Sequence, residues 1–346
     1  MTRMRAFRTP GTGSSKNILV TGGGGFLGSA IIRQLVAQGH RVTSFSRRSH
    51  PHLDALGVRQ LRGDIVNAGA VKDAVREKDA VFHVAAKAGV WGPADAYYPV
   101  NVTGTRHVIT ACRSCRVPML IYTSSPSVVF NGKDMAGIDE SVPYPTRYHA
   151  HYPRTKAMAE QLVRAAADDQ LRTITLRPHL IWGPGDNHLA PRIIARSHRL
   201  RQVGDGRNRV DTIYIDNAAH AHLLAMEALQ HHPELSGRVY FISDDAPIAL
   251  WEMVNRILAA GGKGPVTRTL SPAMAYAIGT LLEGTYHLFG IRHEPIMTRF
   301  VARELATAHW FDISAAKRDL GYTAGISIDT GMQRLKAWLA ESPFPS

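Results

Sequence analysis

From residue 17 onward the chain alternates two rhythms. Short β-rich apolar runs (NILVT, 17–21; RVTSFS, 41–46; AVFHVA, 80–85; MLIYTSS, 119–125; LRTITLRP, 171–178) are separated by stretches of helical period. The stretch from Phe26 to Gln38, which stops at Gly39, and those at 101–115 and 152–167 repeat their apolar positions every three to four residues. VRQLRG (58–63) is a weaker strand. Apolar runs without polar alternation suit strands buried on both faces, the condition of a parallel sheet. The alternation therefore predicts an α/β fold, a doubly wound parallel sheet with helices on both faces. After Pro178 the rhythm changes. Residues 183–210 are rich in Gly, Arg and His, VDTIYID (210–216) and RVYFIS (238–243) read as two more strands, and the remainder is mostly helical.

Composition removes several alternatives. With 346 residues, 45% hydrophobic and 20% charged, the chain can bury a large core and is neither disordered nor collagen-like. Lys+Arg 41 against Asp+Glu 28 gives a net charge of +13, a surface that favours anionic ligands without choosing among them. Cys112 and Cys115 make neither a disulfide framework nor a four-ligand zinc site, and they fall late in a helix, away from its electropositive end. The histidine pairs 149/151, 220/222 and 231/232 come without Cys or carboxylates at ligand spacing, so no metal is expected. Residues 1–16 carry four basic groups and no apolar stretch, which reads as a flexible basic leader rather than a secretory signal. The expected location is the cytoplasm. Glu283, His287 and two glycines interrupt the apolar segment Pro272–Gly290, which argues against a membrane-spanning helix. It reads as a buried helix or lid, with contact at a membrane surface as the alternative.

The first strand runs directly into Gly22-Gly23-Gly24-Gly25-Phe26-Leu27-Gly28, a G-x-x-G-x-x-G turn at the start of a helix. In that context Gly22, Gly25 and Gly28 allow close approach to a pyrophosphate, and the helix N-terminus attracts its charge. This is a dinucleotide-binding, Rossmann-type turn. An acidic residue closing the second strand would select the free ribose; here stand Ser46, Arg47 and Arg48. Removing the acid and adding two guanidiniums favours a 2′-phosphate, and hence NADP(H). Asp64 is placed to accept the adenine amino group. His83-Val84-Ala85-Ala86-Lys87 closes the fourth strand with small residues where a cofactor would lie flat.

Tyr152-Pro-Arg-Thr-Lys156 puts a phenol and an ammonium on one helix face. Positive charge beside a tyrosine lowers its ordinary pKa of about 10 and equips it for proton transfer. Ser124 and Ser125 end the fifth strand, where a hydroxyl can donate to a substrate carbonyl oxygen. Asn101 serves either a proton relay or as a helix N-cap. His179, closing the sixth strand, either orients a carboxylate or the reacting oxygen, or packs as a core histidine satisfied by backbone. The arginines at 192, 196, 199, 201, 207 and 209 form a solvated face, one member of which a carboxylate substrate would need.

The glycine turn combined with Tyr-x-x-x-Lys resembles the extended short-chain dehydrogenase/reductases over roughly residues 17–335. YTSSPSVVF (122–130), DESVPYP (139–145), LRPHLIWGPGD (176–186), RVDTIYIDNAAHAHLLA (209–225) and HWFDISAAKRDLGY (309–322) are similar to the 3β-hydroxysteroid dehydrogenase branch. The resemblance implies a catalytic set of Ser125 (with Ser124 competing), Tyr152 and Lys156, and Asn101 as a fourth member. It implies cofactor contacts at Phe26, Leu27, Asp64, Ile65, Ala85, Lys87, Tyr152, Lys156 and Pro178. Pro126 and Ser127 replace the acidic pair of dehydratase-type relatives, and Ser46 replaces the acid that epimerases keep.

The implied activity is reversible, NADPH-dependent reduction of a β-keto acid, a 2-alkyl-3-oxoalkanoate, to the 2-alkyl-3-hydroxyalkanoate in long-chain olefin biosynthesis. A decarboxylating sterol 3β-hydroxy dehydrogenase is the alternative, and a non-catalytic NADP sensor a second one. The implied organisation is an NADP-binding domain at 17–180 and 211–243 and a substrate-binding lobe at 181–210 and 244–346. Implied partners are the long-chain acid substrate, a second copy of the chain and a pathway enzyme assembly, with no nucleic acid.

Overall fold

Seven apolar runs pair into one sheet in the computed structural model, which describes residues 14–341. Most of the expected leader therefore lies outside the described residues. The strands are β1 (Asn17–Thr21), β2 (Arg41–Ser46), β3 (Arg59–Arg62), β4 (Ala80–His83), β5 (Met119–Thr123), β6 (Arg172–Pro178) and β7 (Arg238–Ile242). Their order is β3-β2-β1-β4-β5-β6-β7, with every pairing parallel. Alternate residues of β1 feed opposite faces. Ile18 and Val20 join the core under α1 (Phe26–Ala37) and α5 (Ile215–His231). Leu19 joins the core under α2 (Ala68–Val75), α3 (Gly104–Ser114) and α4 (His151–Ala165). The chain reverses its direction of travel across the sheet between β1 and β4, which opens a crevice at their carboxyl ends.

Two expectations need correction. The helix assigned to 101–115 starts earlier: Ala94–Tyr98 is helical and passes through a π-helical turn, Pro99–Thr103, into α3. Asn101 is thus interior to a helix and caps nothing. VDTIYID is also not one strand. Arg209–Val210 and Ile213–Tyr214 pair with different small sheets, because the Asp211 carboxylate turns to accept the Phe311 amide at 2.9 Å.

The remaining lobe combines helices with a four-stranded sheet built from Met135–Ile138, Arg209–Val210, Ile248–Ala249 and His309–Phe311. Its helices include α6 (Leu250–Ala260), α7 (Pro272–Leu288) and α8 (Arg299–Ala306). Gly279 lets α7 lie against α8, since a Cβ there would stand 2.7 Å from the Thr298 carbonyl carbon. Glu283 accepts the Arg299 amide at 2.7 Å and its Nε at 2.6 Å. The opposite side of α7 exposes Met274, Ile278 and Leu281. Trp91, in the loop after β4, donates to the Ile291 carbonyl and packs on Tyr286 and His287, so the end of α7 reaches over the crevice. Among the described residues no helix is long and apolar enough to cross a membrane. Burial pushes the Cys112 thiol up to about 12.

Candidate active site

The glycine turn is shaped by contacts that exclude side chains. Gly22 has φ +70°, and a Cβ on it would meet the Ala85 backbone at 2.9 Å. A Cβ on Gly28 would stand 2.3 Å from the Gly22 carbonyl oxygen. Gly25 heads α1 with no side-chain cap and no acid in the first turn, leaving its N–H groups open toward the crevice. Leu27 is buried beneath the turn, and Phe26 faces Gly185. This cradle fits the pyrophosphate of a dinucleotide.

The ends of β2, β3 and β4 surround it. Ser46 donates to the Arg48 carbonyl at 2.8 Å, and the Arg47 and Arg48 side chains are exposed. Asp64 accepts the Val66 amide at 3.1 Å in a tight turn, while Ile65 is buried against Gly104. Ala85 and Ala86 present small surfaces, and Lys87 lies 5.2 Å above the Tyr97 ring. Pro178 closes β6 in the interior.

Asn101 ties these parts to the helix bearing Tyr152. Its Oδ1 accepts the Lys87 amide at 2.7 Å, and its Nδ2 donates to the Lys87 carbonyl at 3.1 Å and to Thr155 Oγ1 at 3.0 Å. The π-helical turn is what turns this amide toward the loop after β4.

α4 begins at His151, so Tyr152 and Lys156 lie one turn apart, as the spacing requires. Ser125 lies beside the Tyr152 phenol, whereas the Ser124 hydroxyl is buried with no partner among the described residues. Ser125 also meets Ser127 Oγ at 2.9 Å. Burial pushes the Tyr152 phenol up to about 12, opposed by Ser125. The lowering expected from Lys156 is not what the structure has. Its ammonium donates instead to the Tyr122 hydroxyl at 2.7 Å and the Thr123 carbonyl at 2.6 Å. Burial pulls Lys156 down to about 7, with Glu160 opposing, so the charge meant to act on the phenol is itself weakened.

Behind Lys156 the polar core is continuous. Tyr122 is bonded to Thr105, which meets His83 Nε2 at 2.9 Å; His83 Nδ1 meets Thr21 Oγ1 at 2.8 Å. Burial, then Lys156, lowers His83 to about 3 and keeps it neutral. Glu160 accepts from the Arg177 guanidinium at two points and from the Tyr144 hydroxyl at 2.7 Å.

His179 is buried against His309 and Phe311, and its Nε2 has no partner among the described residues. The backbone-satisfied reading thus fails at that atom. Burial, then His309, lowers its pKa well below the usual value. The arginine run is largely committed elsewhere: Arg192 to Glu294, Arg207 to Asp205, Arg209 to the Pro247 carbonyl.

A profile described as the 3-beta hydroxysteroid dehydrogenase/isomerase family matches residues 19–269. The chain belongs to that family. Within reach of it stands the 2-alkyl-3-oxoalkanoate reductase of Shewanella oneidensis, 50% identical over 330 residues and covering 92% of this chain and 85% of that one. The reductase of the same name from Stenotrophomonas maltophilia is 50% identical over 325 residues, covering 92% and 98%. A sterol-4-alpha-carboxylate 3-dehydrogenase of Mus musculus is 32% identical over 327 residues, covering 92% and 90%. The crystal structure of gox2253 superposes with a TM-score of 0.77 at 24% identity, over 96% of this chain and 100% of that one. MoeE5 in complex with UDP-glucuronic acid and NAD gives 0.72 at 25%, over 94% and 99%. Family membership makes the chain an oxidoreductase acting on CH–OH groups.

One group beside Tyr152 escaped sequence reasoning. Glu304, on α8, acts electrostatically on Tyr152 and makes no hydrogen bond or ion pair with the described residues. Burial pushes its carboxyl up to about 8. Solvent grazes the side chain although protein surrounds it, as in a cleft. The available signal was positional: Glu304 falls one turn after Phe300, on the apolar stripe of an amphipathic helix.

Proposed function

We propose that this chain reduces a 2-alkyl-3-oxoalkanoate to the 2-alkyl-3-hydroxyalkanoate with NADPH, reversibly, as a cytoplasmic step of long-chain olefin biosynthesis. The observation that carries the reading is the place of Tyr152 one helical turn from Lys156, with Ser125 beside its phenol at the end of β5. The half-identical reductases supply the substrate class. In this reading residues 17–180 and 211–243 bind the cofactor, and 181–210 and 244–346 receive the substrate.

Gly22, Gly25 and Gly28, with Phe26 and Leu27, would hold the pyrophosphate; Asp64 and Ile65 the adenine; Ala85, Ala86, Lys87 and Pro178 the nicotinamide end. Bound there, a nicotinamide would supply hydride for the C3 carbonyl of the substrate. Tyr152, a neutral phenol at pH 7, gives its proton to the C3 oxygen. Ser125 donates to the same oxygen and steadies its negative charge. Lys156 would donate to the nicotinamide ribose and so tie the cofactor to the helix that carries the phenol. Asn101 holds this helix in register with the loop after β4, and His179 faces the substrate's carboxylate. The end of α7, resting on Trp91, covers the alkyl chains, where each buried CH₂ contributes about 0.8 kcal/mol.

NADPH is preferred over NADH because Arg47 and Arg48 are exposed and make no ion pair with the described residues. Replacing both with Ala is expected to weaken NADPH by about 10²–10⁴-fold, at roughly 1.5–3 kcal/mol for each charged hydrogen bond, and to leave NADH unchanged. Titration of protein fluorescence with either cofactor measures both. For the activity itself, the protein is incubated with NADP⁺ and a panel of 2-alkyl-3-hydroxy acids and 3β-hydroxysterols. NADPH appearing with the hydroxy acids supports the proposal, and NADPH appearing only with sterols rejects it.

Glu304 sets a pH limit. Neutral below about 8, it loses its proton as pH rises and then places a negative charge beside Tyr152 and an anionic substrate. The expected kcat/KM falls above about pH 8, and Glu304→Gln removes that limb; a limb unchanged in the variant assigns it elsewhere.

A further inference from the structure

The imidazole of His50 occupies the space beside the glycine turn where a side chain at position 24 would otherwise stand. A Cβ on Gly24 would lie 2.0 Å from His50 Cδ2 and Nε2, which means the ring rests directly on the glycine. Gly24 is not at a positive φ, so the backbone would accept any residue there; the missing side chain is explained by the ring.

The position of His50 is fixed from behind. Its amide donates to Gln60 Oε1 at 2.8 Å, and its carbonyl accepts from Gln60 Nε2 at 3.1 Å. Gln60 sits on β3 and also donates to Asp54 at 2.5 Å. Two residues on, His52 Nε2 meets Ser29 Oγ at 2.9 Å, and Ser29 Oγ donates to the Gly23 carbonyl at 2.9 Å. The two rings lie 5.7 Å apart. The four residues from Arg47 to His50 therefore fold back from the end of β2 onto the glycine turn. Arg47 and Arg48 stand in solvent at one end of this segment, and the His50 ring meets the turn at the other.

A phosphate on the adenosine 2′-oxygen has to sit between the end of β2 and the glycine turn, because the ribose is held there by the fold. We propose that His50 is a specificity-determining residue for this cofactor: its ring, seated on Gly24, donates an N–H to the 2′-phosphate from the side opposite Arg47 and Arg48. Arginines on a solvent-facing loop supply charge but little fixed geometry. An imidazole anchored by Gln60 and by the glycine supplies direction, and a ligand lacking the phosphate gains nothing from it. The inference rests on the NADP reading above.

The test measures binding, with no turnover. Dissociation constants of NADPH, NADH, adenosine 2′,5′-bisphosphate and 5′-AMP are determined for the wild type and for His50→Gln, His50→Ala, Gly24→Ala and the His50→Ala/Gly24→Ala pair. His50→Ala is expected to weaken NADPH and the bisphosphate by about 10-fold or more, with NADH and 5′-AMP changing less than about twofold. Gly24→Ala displaces the ring and reproduces the selective loss, but adds none when His50 is already Ala, as expected of two residues acting through one contact. Equal weakening of all four ligands, or no weakening, overturns the role of His50. A wild type that binds NADH as tightly as NADPH overturns the NADP reading instead, whatever the variants do.

Discussion

Tyr152→Phe lowers kcat for β-keto acid reduction by about 10²–10⁴-fold, the usual span for a general acid, while NADPH affinity stays within about twofold of wild type. The variant keeps the ring and so keeps its packing at the start of α4; it removes only the hydroxyl that Ser125 engages. The direction follows from the state of the phenol. Burial raises it to about 12, so at pH 7 it carries the proton that reduction consumes. No neighbour replaces it: Lys156 points to Tyr122 and Thr123, and His179 is held neutral. Single-turnover rates and cofactor titration separate the two quantities. Full activity in the variant would remove Tyr152 from the role of general acid.

Glu160→Ala lowers unfolding free energy by about 3–5 kcal/mol in urea denaturation, because it strands a buried guanidinium. Arg177 and Glu160 are 2% and 0% exposed, and the Arg177 Nη1 already lacks a partner. Without that carboxylate the guanidinium keeps the faces of Phe241 and Tyr144 and the weaker influence of Glu140. An exposed pair provides the contrast. Asp329 is 80% exposed, and Asp329→Asn is expected to cost less than about 1 kcal/mol although Arg256 reaches it at 2.5 Å. The loss at Glu160 also reaches the active site, since this carboxylate is the charge that holds the Lys156 pKa up. In Glu160→Gln, Lys156 titrates below about 7. A fall in rate above that pKa, shifted to lower pH in step with it, reports the coupling without unfolding the chain.

The parts of the site legible in the chain were those written by local spacing. Gly22, Gly25 and Gly28 follow a strand and open a helix; Tyr152 and Lys156 lie one turn apart; both relations survive in the structure. Properties set by distant segments were not legible. Asn101 read equally well as a cap, because nothing nearby signals a π-helical turn. The serine choice depended on which hydroxyl turns toward Tyr152, a matter of one peptide's orientation at the end of β5. The Lys156 ammonium was expected beside the phenol, but a tyrosine 34 positions earlier and a strand carbonyl claim it. Glu304 and His50 were invisible for a related reason. One comes from the far end of the chain, and the other gains meaning only where it lands on a glycine whose missing side chain leaves room for it.

The carboxamide of Asn101 joins the peptide at Lys87 to the side chain of Thr155. The loop after β4 and the helix carrying the phenol are therefore riveted into one platform. The opposite wall is built separately: Glu283 and Arg299 hold α7 and α8 to each other, and Trp91 donates to the Ile291 carbonyl just beyond the tip of α7.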